Sequence, residues 1–569
     1  MLPPPPTAPR PRAAARRPGA WPLAAIASAG VLLALISTVW GVGTTPDSAT
    51  YVSAAQNLRA GQGLRVQSDI HQSQEYYTTG RFPGSATPAG PAADPAGVVA
   101  LPLTQYPPLF SVLLALGGLL AGDALNSARW LNALLFGANI LLTGGVIQRT
   151  ARGASGAARA GALLMLVAPD MLTIHVMAWS EPLFIFCALA GIAGTVHYLD
   201  TDRRSALIAA AAAIALASVT RYVGVVLIVT GLAGIGGLSR KPRRGRMIDA
   251  ALFTLIAGLP LAAWLLRNMT VAGSFANRES VWHPVTGPAL AQAVTTVGTW
   301  LLPLAVPDPL PVAGTAILLV LGLVGGSLWG LRGPTRTASS AAAGESQPAA
   351  ASVLRLSALL GLFIGLYLGF LLVTISFYDA ATPLDGRILS PIFVALLILV
   401  LVQIQWHFGP QFGARRVRGP ALALAALFIG LYAASSLPQV LQNYQAGINY
   451  TSREWRQSAI IRRLRAVPSD TLVYSNGPDA IYLLTGRAAN LIPPKANIYT
   501  QRNNDYYPAQ MALIRAQARR RPVLLVYFRT VYRAYLPSEA ELRQDLPLGP
   551  AQQGADGAIY EIDGAGGGS

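Results

Sequence analysis

The chain has 569 residues, of which 53% are apolar and only 12% are charged. This composition excludes an ordinary soluble protein, because apolar stretches of about 20 residues, long enough to cross a bilayer as helices, recur from end to end. A net charge of +18 would suggest nucleic-acid binding in a soluble protein, but the basic residues here lie in short clusters between apolar stretches. Orientation in a membrane explains such clusters better. The single cysteine, Cys187, excludes an intrachain disulfide and a cysteine-based zinc site.

The first 20 residues are rich in proline and arginine and precede an apolar stretch that begins at Trp21. That stretch extends to about Val42, which is too long for the apolar core of a cleavable signal peptide. We therefore expect residues 1–20 to be a disordered cytoplasmic leader and the stretch after them to be a retained first membrane span.

Length and apolar patterning predict about twelve transmembrane helices. Clusters of arginine and lysine precede the first span and follow the third, fifth, seventh, ninth and eleventh. All of these clusters fall on one side when twelve spans are threaded, as the positive-inside rule requires, so we expect a cytoplasmic N-terminus in a cell membrane. The predicted spans are roughly 21–43, 107–123, 127–148, 160–178, 182–199, 205–219, 222–238, 248–266, 312–331, 356–376, 388–406 and 420–437.

This threading divides the chain into a membrane domain, residues 21–437, with outer loops at 44–106 and 267–311, and an outer C-terminal region, residues 438–569. The C-terminal region alternates strand-like and helical patterns and predicts a small α/β domain docked on the outer face. The predicted fold class is thus a polytopic α-helical membrane protein with a small extracytoplasmic α/β domain. The strand-like segments are Thr471–Tyr474, Val523–Phe528 and Ala558–Ile562, and the helical ones are Arg453–Arg465, Asp479–Leu484 and Gln510–Arg519.

The segment after the first span has the pattern of a helix N-terminus. Thr45 can cap a helix, Pro46 suits the first position, and Asp47 falls in the first turn, where the helix dipole favours an acid. Tyr51 and three later apolar residues continue at helical spacing, which predicts an amphipathic helix on the membrane surface with Asp47 and Tyr51 on one face. A carboxylate there could take a proton from a water-borne hydroxyl while a second reactant arrives through the lipid.

The first loop also carries Asp69, Glu75 and Asp94, beside a stretch rich in glycine, proline and serine between about 80 and 97. Two interpretations of this stretch stay open. It is either a flexible cover that orders when a substrate binds or a solvated linker.

Short motifs with polar residues recur at the predicted outer ends of later spans. After the Asp47 segment, these motifs are Tyr106-Pro107-Pro108-Leu109, Ala128-Arg129-Trp130-Leu131-Asn132, Ser180-Glu181-Pro182-Leu183-Phe184, Thr220-Arg221-Tyr222-Val223-Gly224, Arg267-Asn268 through Gly273, and Gly386-Arg387-Ile388-Leu389-Ser390-Pro391. In their order and outward placement they resemble the GT-C superfamily of integral-membrane glycosyltransferases, especially bacterial protein mannosyltransferase and aminoarabinose transferase proteins. The resemblance covers most of the chain.

The resemblance implies transfer of a sugar, with inversion, from a polyprenyl monophosphate donor to an acceptor hydroxyl outside the membrane. The acceptor could be protein, lipid or polysaccharide. Asp47 would match the acid that acts as general base. The leaving lipid phosphate needs cations, and the planar fork of arginine suits phosphate oxygens.

Arg387, Arg221 and Arg267 all lie at predicted outer ends of spans, and we expect them to bind the donor phosphate. Their ordinary explanation is a side chain that reaches toward lipid head groups. Tyr106 could line the same phosphate site, although an aromatic residue at the membrane interface is the commoner explanation.

Three further residues are candidates for substrate binding: Glu181, Asp170 and Tyr51. An unpaired carboxylate at an apolar boundary is costly, so Glu181 either holds substrate hydroxyls or pairs with a nearby arginine. Asp170 follows Pro169 in the fourth span and either projects into the same cavity, pairs with a buried arginine or caps a helix.

Two departures from the family pattern bear on the phosphate and metal sites. Some relatives carry an acidic pair where Asp47 is followed by Ser48, and some carry a lysine where this chain has Thr104-Gln105 before the paired prolines. The five histidines show no ligand spacing, so the sequence predicts no required metal or other cofactor. Two alternative functions stay open: a flippase or transporter of lipid-linked sugars, or a catalytically inactive scaffold.

Overall fold

The structure of the chain is a computed structural model. It describes residues 21–67, 100–151, 155–301, 347–409 and 415–563, together with a few isolated positions between these ranges. The predicted leader, most of the predicted ninth span, and the acidic residues Asp69, Glu75 and Asp94 lie outside the described residues.

Up to residue 446, the regular secondary structure of the described residues is helical except for one short two-stranded pair. The pair is β1 (Arg65–Val66) with β2 (Leu101–Pro102). The helices are α1 (Trp21–Ser37), α2 (Pro46–Arg59), α3 (Leu109–Ala121), α4 (Ala124–Thr150), α5 (Ser155–Val167), α6 (Pro169–His175), α7 (Glu181–Thr201), α8 (Arg204–Ser218), α9 (Val225–Leu238), α10 (Arg243–Ala272), α11 (Gly287–Leu301), α12 (Gln347–Phe377), α13 (Ser390–Phe408) and α14 (Arg415–Ala446).

Six of these helices are long and apolar enough to cross a membrane: α4, α7, α10, α12, α13 and α14. The pair α5 and α6 passes the same test as one unit but is bent by 61°. The bend falls at Pro169, because proline lacks a backbone N–H and disfavours helical geometry at the residue before it. Four shorter apolar helices, α1, α3, α8 and the segment Tyr222–Leu238, occupy the remaining predicted spans other than the ninth. The chain is therefore a mostly helical protein with several helices suited to a membrane.

Helix α2 begins at Pro46, after Thr45, as the sequence predicts, but it does not lie on a surface. Nine of its fourteen residues are buried, including the whole run from Ser48 to Ala55. It packs against α3 and β1, and its Gln56 accepts a 2.6 Å hydrogen bond from the hydroxyl of Tyr482 in the C-terminal region. The expectation of a surface helix was wrong, because α3, β1 and the C-terminal region pack against this helix.

The predicted middle loop contains a helix, α11, that the sequence interpretation missed. At 15 residues it is shorter than a membrane span, and it mixes threonine and glycine with its apolar residues. One side of it packs against the core through Trp300 and Gly298, whereas most of its other residues are exposed or half-buried.

The C-terminal α/β region, residues 449–563, folds around a five-stranded sheet in the order β4-β3-β5-β7-β6. Strand β3 pairs in parallel with β4 and β5, while β7 is antiparallel to β5 and β6. The elements are α15 (Arg453–Arg456), α16 (Ala459–Ala466), β3 (Leu472–Ser475), α17 (Pro478–Thr485), β4 (Asn490–Leu491), α18 (Tyr507–Ala518), β5 (Val523–Phe528), α19 (Glu539–Asp545), β6 (Gln552–Gln553) and β7 (Gly557–Glu561).

The three predicted strands of this region agree with β3, β5 and β7. The sheet is covered on both faces: Leu472 and Tyr474 belong to one apolar cluster, and Val473 belongs to the other. The predicted helix Arg453–Arg465 is instead two helices, because Ser458 starts α16 by accepting a hydrogen bond from the backbone of Ile461. Strands β4 and β6 and helix α19 were missed, and each is seven residues or shorter.

The packing of α9 against α10 gives a direct test of the helical core. An added methyl group on Gly231 of α9 would overlap the ring of Phe253, which is fully buried in α10. Gly236, in the same helix, has no other heavy atom within 4 Å of the added methyl position. We predict that Gly231→Ala lowers the free energy of unfolding by about 1–3 kcal/mol through overpacking.

The matched control is Gly236→Ala, which should leave stability unchanged or raise it slightly because alanine favours a helix. Thermal unfolding in detergent micelles measures both variants. Equal midpoints for the two would contradict the packing of α9 on α10.

Candidate active site

The N-terminal ends of three helices converge at one place. Asp47 lies in the first turn of α2, Glu181 is the first residue of α7, and Arg387 precedes the start of α13 by three residues. Carboxylates are favoured at helix N-termini because the unpaired backbone N–H groups there carry partial positive charge. The fold thus brings together three candidates that are far apart in the sequence.

Arg387 bridges the two carboxylates. Its Nη2 donates to Oδ2 of Asp47, and its Nε donates to Oε1 of Glu181 at 2.6 Å. The guanidinium lies over the ring of Trp179, 4.0 Å from the ring centroid. The carbonyl of Arg387 accepts a 2.7 Å hydrogen bond from the Ser390 hydroxyl, which ties this segment to the start of α13.

Arg221 approaches Glu181 from another side. Its Nη1 lies 2.7 Å from Oε1 of Glu181 and 3.3 Å from the hydroxyl of Ser180. The same hydroxyl lies 3.0 Å from the hydroxyl of Tyr51. Arg221 occupies the turn after α8. This turn is so tight that a side chain on Gly224 would overlap the backbone of Ser218. One oxygen of Glu181 therefore meets both arginines.

The site contains two acids and two arginines, which we call the four-charge cluster: Asp47, Glu181, Arg221 and Arg387. Their charges balance, and their side chains are largely buried. The side chain of Glu181 is 1% exposed, and the other three are 16–19% exposed. Burial alone would lower the pKa of Arg387, but Glu181 and Asp47 raise that pKa well above its usual value. Burial likewise opposes a charge on Arg221, and Glu181 raises the pKa of Arg221. Both arginines are therefore held as cations.

Only one of the two carboxylate oxygens of Glu181 contacts the arginines. Its Oε2 is buried and has no hydrogen-bond partner within the described residues. A buried carboxylate oxygen without a partner is costly, so this atom is suited to accept a hydrogen bond from a bound molecule.

The short segment before α7 joins the site to α2. Trp179 Nε1 donates to the Thr45 hydroxyl at 2.8 Å, and the Ser48 hydroxyl donates to the carbonyl of Ala178 at 3.1 Å. Asn132, on α4, donates to the carbonyl of Trp179 at 3.0 Å. These contacts fix the start of α7 relative to the start of α2, and so fix Glu181 relative to Asp47.

The other predicted site residues lie at different distances from this cluster. The ring of Tyr106 packs 4.8 Å from the ring of Tyr51, which places it at the edge of the site. Arg267 donates to the backbone carbonyls of Leu103 and Leu64, at 2.5 and 3.3 Å. It therefore joins two segments of the first outer loop, and its predicted phosphate contact stays a prediction.

Asp170 lies behind the Arg387 segment. Its Oδ2 accepts a 2.9 Å hydrogen bond from Nε1 of Trp300, and its carboxylate is packed against Gly386. The structure thus gives Asp170 a protein partner that differs from the arginine, cavity and cap considered from sequence.

The sequence interpretation missed Trp179 and did not assign a role to Ser180. Trp179 directly precedes the Ser180–Phe184 motif, so its position was the available signal. A tryptophan near a membrane boundary has an ordinary explanation, however, and periodicity does not indicate that an arginine will stack on it. Within the residues that the structure describes, no group of three or more His, Cys, Asp or Glu side chains could hold a metal ion.

The buried cluster makes a prediction about stability. Glu181→Gln removes one negative charge from between two buried cations, which we expect to cost about 3 kcal/mol of unfolding free energy. Adding Arg221→Gln to this variant should recover part of the loss, because the charges balance again. Thermal unfolding in micelles measures the single and double variants.

The control is Glu279→Gln, in an ion pair with Arg502 at 3.3 Å in which the side chains are 41% and 61% exposed. Exposed pairs contribute little, so this variant should change stability by no more than about 0.5 kcal/mol. A double variant less stable than Glu181→Gln alone would contradict the charge argument.

Two solved structures share the fold of this chain. A crystal structure of ArnT from Cupriavidus metallidurans in the apo state aligns with a TM-score of 0.54 and 14% sequence identity, covering 94% of this chain and 97% of that chain. A second crystal structure of ArnT from the same organism, bound to undecaprenyl phosphate, aligns with a TM-score of 0.54 and 13% identity over the same shares. No protein-family model and no curated protein sequence matches the chain. The chain thus has the fold of ArnT, which agrees with the fold that the motif resemblance implies.

Proposed function

We propose that this protein is a membrane glycosyltransferase that moves a sugar from a polyprenyl-phosphate donor to an acceptor hydroxyl. The observation that carries the proposal is the direct contact of Asp47 with Arg387 at the meeting point of three helix N-termini. A base for the acceptor and a cation for the leaving group are the two groups that this reaction needs side by side. The ArnT-like fold supports the same class, and one of the ArnT structures contains undecaprenyl phosphate.

The donor phosphate would bind at Arg387 and Arg221. Both guanidiniums are mostly buried, both stay charged, and the helix N-termini around them add positive potential. A phosphate that arrives from the lipid side can replace the carboxylate of Asp47 on Nη2 of Arg387, because guanidinium binds both anions in the same planar fashion. Glu181 is the more deeply buried partner and would stay in place as the fixed counter-ion.

That exchange would prepare Asp47 for catalysis. Once Arg387 is held by phosphate, the Asp47 carboxylate can accept the proton of the acceptor hydroxyl as the hydroxyl oxygen bonds to the anomeric carbon of the sugar. The bond from that carbon to the phosphate oxygen breaks, and its electron pair stays on the leaving polyprenyl phosphate. Attack from the side opposite the leaving group inverts the anomeric configuration.

The remaining site residues would support this arrangement. Oε2 of Glu181 is suited to a sugar or acceptor hydroxyl, because it is buried and has no partner among the described residues. Tyr51 orients Ser180, which in turn contacts Arg221. Tyr106 would form an aromatic wall at the phosphate site through its packing on Tyr51.

The proposed topology has about twelve spans, a cytoplasmic N-terminus and a C-terminal region, residues 438–569, outside the plasma membrane. The contact of Tyr482 with Gln56 docks the C-terminal region against α2, the helix that carries Asp47. Whichever acceptor is used, protein, lipid or polysaccharide, would then approach Asp47 beside this region.

The first functional prediction concerns the base. Asp47→Asn should lower the release of free polyprenyl phosphate from radiolabelled polyprenyl-phosphate hexoses at least about a hundredfold, because the amide cannot accept the acceptor's proton. Its thermal unfolding midpoint should show that the variant folds. Asp505→Asn, an exposed carboxylate in the C-terminal region, is the control and should react at the wild-type rate. Near-normal release by the Asp47 variant would remove it as the base.

The second functional prediction concerns the phosphate cation. Arg387→Lys keeps the charge but loses the fork that spans Asp47 and Glu181, so we expect affinity for undecaprenyl phosphate to fall about tenfold or more. Arg533→Lys is the control, since Arg533 is also buried and paired with an acid, Asp479, but lies in the C-terminal region. Equilibrium binding in micelles measures both, and equal affinities would argue against a phosphate contact at Arg387.

A further inference from the structure

Helix α11 is attached to the segment that carries Arg387. The side-chain oxygen of Gln292 accepts a 2.9 Å hydrogen bond from the backbone N–H of Leu384, and the hydroxyl of Thr296 donates to the carbonyl of Leu384 at 3.0 Å. The backbone N–H and the backbone carbonyl of Leu384 are thus both hydrogen-bonded to side chains one helical turn apart on α11. Leu384 lies three residues before Arg387.

The far end of α11 is fixed by Trp300. Its Nε1 donates to Asp170 at 2.9 Å, its carbonyl accepts a 2.6 Å hydrogen bond from the hydroxyl of Tyr432, and its ring meets Phe393 edge-on at 5.4 Å. Trp300 is buried although most of α11 is not. The helix is therefore anchored to α6, α13 and α14, and its position is determined by the membrane part of the protein.

Asp170 also touches the Arg387 segment directly. A methyl group added to Gly386 would overlap the Asp170 carboxylate, whose carbon and two oxygens are the three nearest heavy atoms. The backbone of Gly386 does not have the positive φ that would itself require glycine. A side chain at this position would therefore have to displace Asp170, which Trp300 holds in place.

We propose that α11 and Asp170 form a brace that positions Arg387. The brace is hydrogen-bonded to the segment at Leu384 and packs against it at Gly386, the residue directly before Arg387. From there the guanidinium reaches Asp47, Glu181 and Trp179. Gln292, Trp300 and Asp170 are positioning residues in this arrangement, and they act on bound phosphate only through Arg387. That last step rests on the proposed function, whereas the brace itself does not.

The test reads the position of Arg387 without using activity. The Arg387 guanidinium lies 4.0 Å from the centroid of the Trp179 ring, so the fluorine resonance of 5-fluorotryptophan at position 179 reports its presence. The full-length chain, which has 10 tryptophans, is labelled in micelles, and Trp179→Phe assigns the resonance. Arg387→Gln gives the chemical shift expected when the guanidinium is removed.

The decisive comparison is Gly386→Ala against Gly386→Ala combined with Asp170→Ala. The single variant should move the Trp179 resonance toward its position in Arg387→Gln, because the new methyl pushes the segment away from Asp170. The double variant should return the resonance at least halfway to wild type, because the methyl then fills the space of the missing carboxylate. Gly369→Ala in α12, with no other heavy atom within 4 Å of the added methyl position, should leave it unchanged.

A second pair of variants keeps the test valid if Gly386→Ala does not fold. Gln292 is exposed, and Gln292→Leu removes the acceptor for the Leu384 N–H while Gln292→Glu keeps an acceptor. The leucine variant should move the Trp179 resonance and the glutamate variant should not. An unmoved resonance in Gln292→Leu, or a double variant farther from wild type than Gly386→Ala, would overturn the brace.

Binding of undecaprenyl phosphate separates the brace from the proposed function. If both hold, affinity should fall about tenfold in Gly386→Ala and recover in the double variant, in step with the resonance. If wild-type protein does not bind undecaprenyl phosphate while the resonance behaves as expected, the proposed function fails and the brace stands. If wild-type protein binds but the resonance does not move, the brace fails and the proposed function stands.

Discussion

The ion pairs of Arg387 are the contact on which the rest of the site depends. Removing one partner from a buried ion pair costs several kcal/mol, so each member of the four-charge cluster stabilises the charges of the others. Those members come from four separate elements, and Arg387 is separated from Asp47 by 340 residues and from Glu181 by 206. No single part of the chain can therefore form the site. Its four charged side chains meet only when the membrane helices pack together.

The same pairing has a chemical consequence under the proposed function. A carboxylate that neutralises an arginine is a poor base, because taking a proton would leave the cation without that counter-charge. Asp47 becomes useful only when another anion takes its place on Arg387, and the donor phosphate is such an anion. Binding of the donor would thus be coupled to activation of the base, and the acceptor would meet an active base only when a donor is present.

Local sequence patterns predicted what depends on neighbouring residues and missed what depends on distant ones. The start of α2 at Pro46 follows from helix-capping residues and the strand Val523–Phe528 from a short continuous apolar run, and the structure has both. The burial of α2 could not be predicted, because α3 and the C-terminal helix α17, which are distant from it in the sequence, pack against it. For the same reason the sequence identified the charged candidates but left open whether Glu181 binds substrate or pairs with arginine. Helix α11 was missed because, at 15 residues, it is too short to be recognised as a membrane span.

Helix α7 shows how charged residues are distributed along a helix that is long enough to cross the membrane. Glu181 begins the helix, and Asp200, near its end, pairs with Arg355 at 2.5 Å. Between these two acids the helix has no Asp, Glu, Lys or Arg. The separation, at about 1.5 Å per residue, is roughly 30 Å, which is the thickness of the hydrocarbon core of a bilayer.

The two ends of α7 differ in a way that bears on function. The Asp200 end has a pair of one acid and one arginine, which is sufficient to anchor a helix. The Glu181 end has two acids and two arginines, with an aromatic ring under one guanidinium. A transporter would need ionisable groups near the middle of the membrane, along the path of its cargo. On α7 the charges stand at the boundaries, and the elaborate cluster stands at only one of them, as expected for a reaction at one membrane surface.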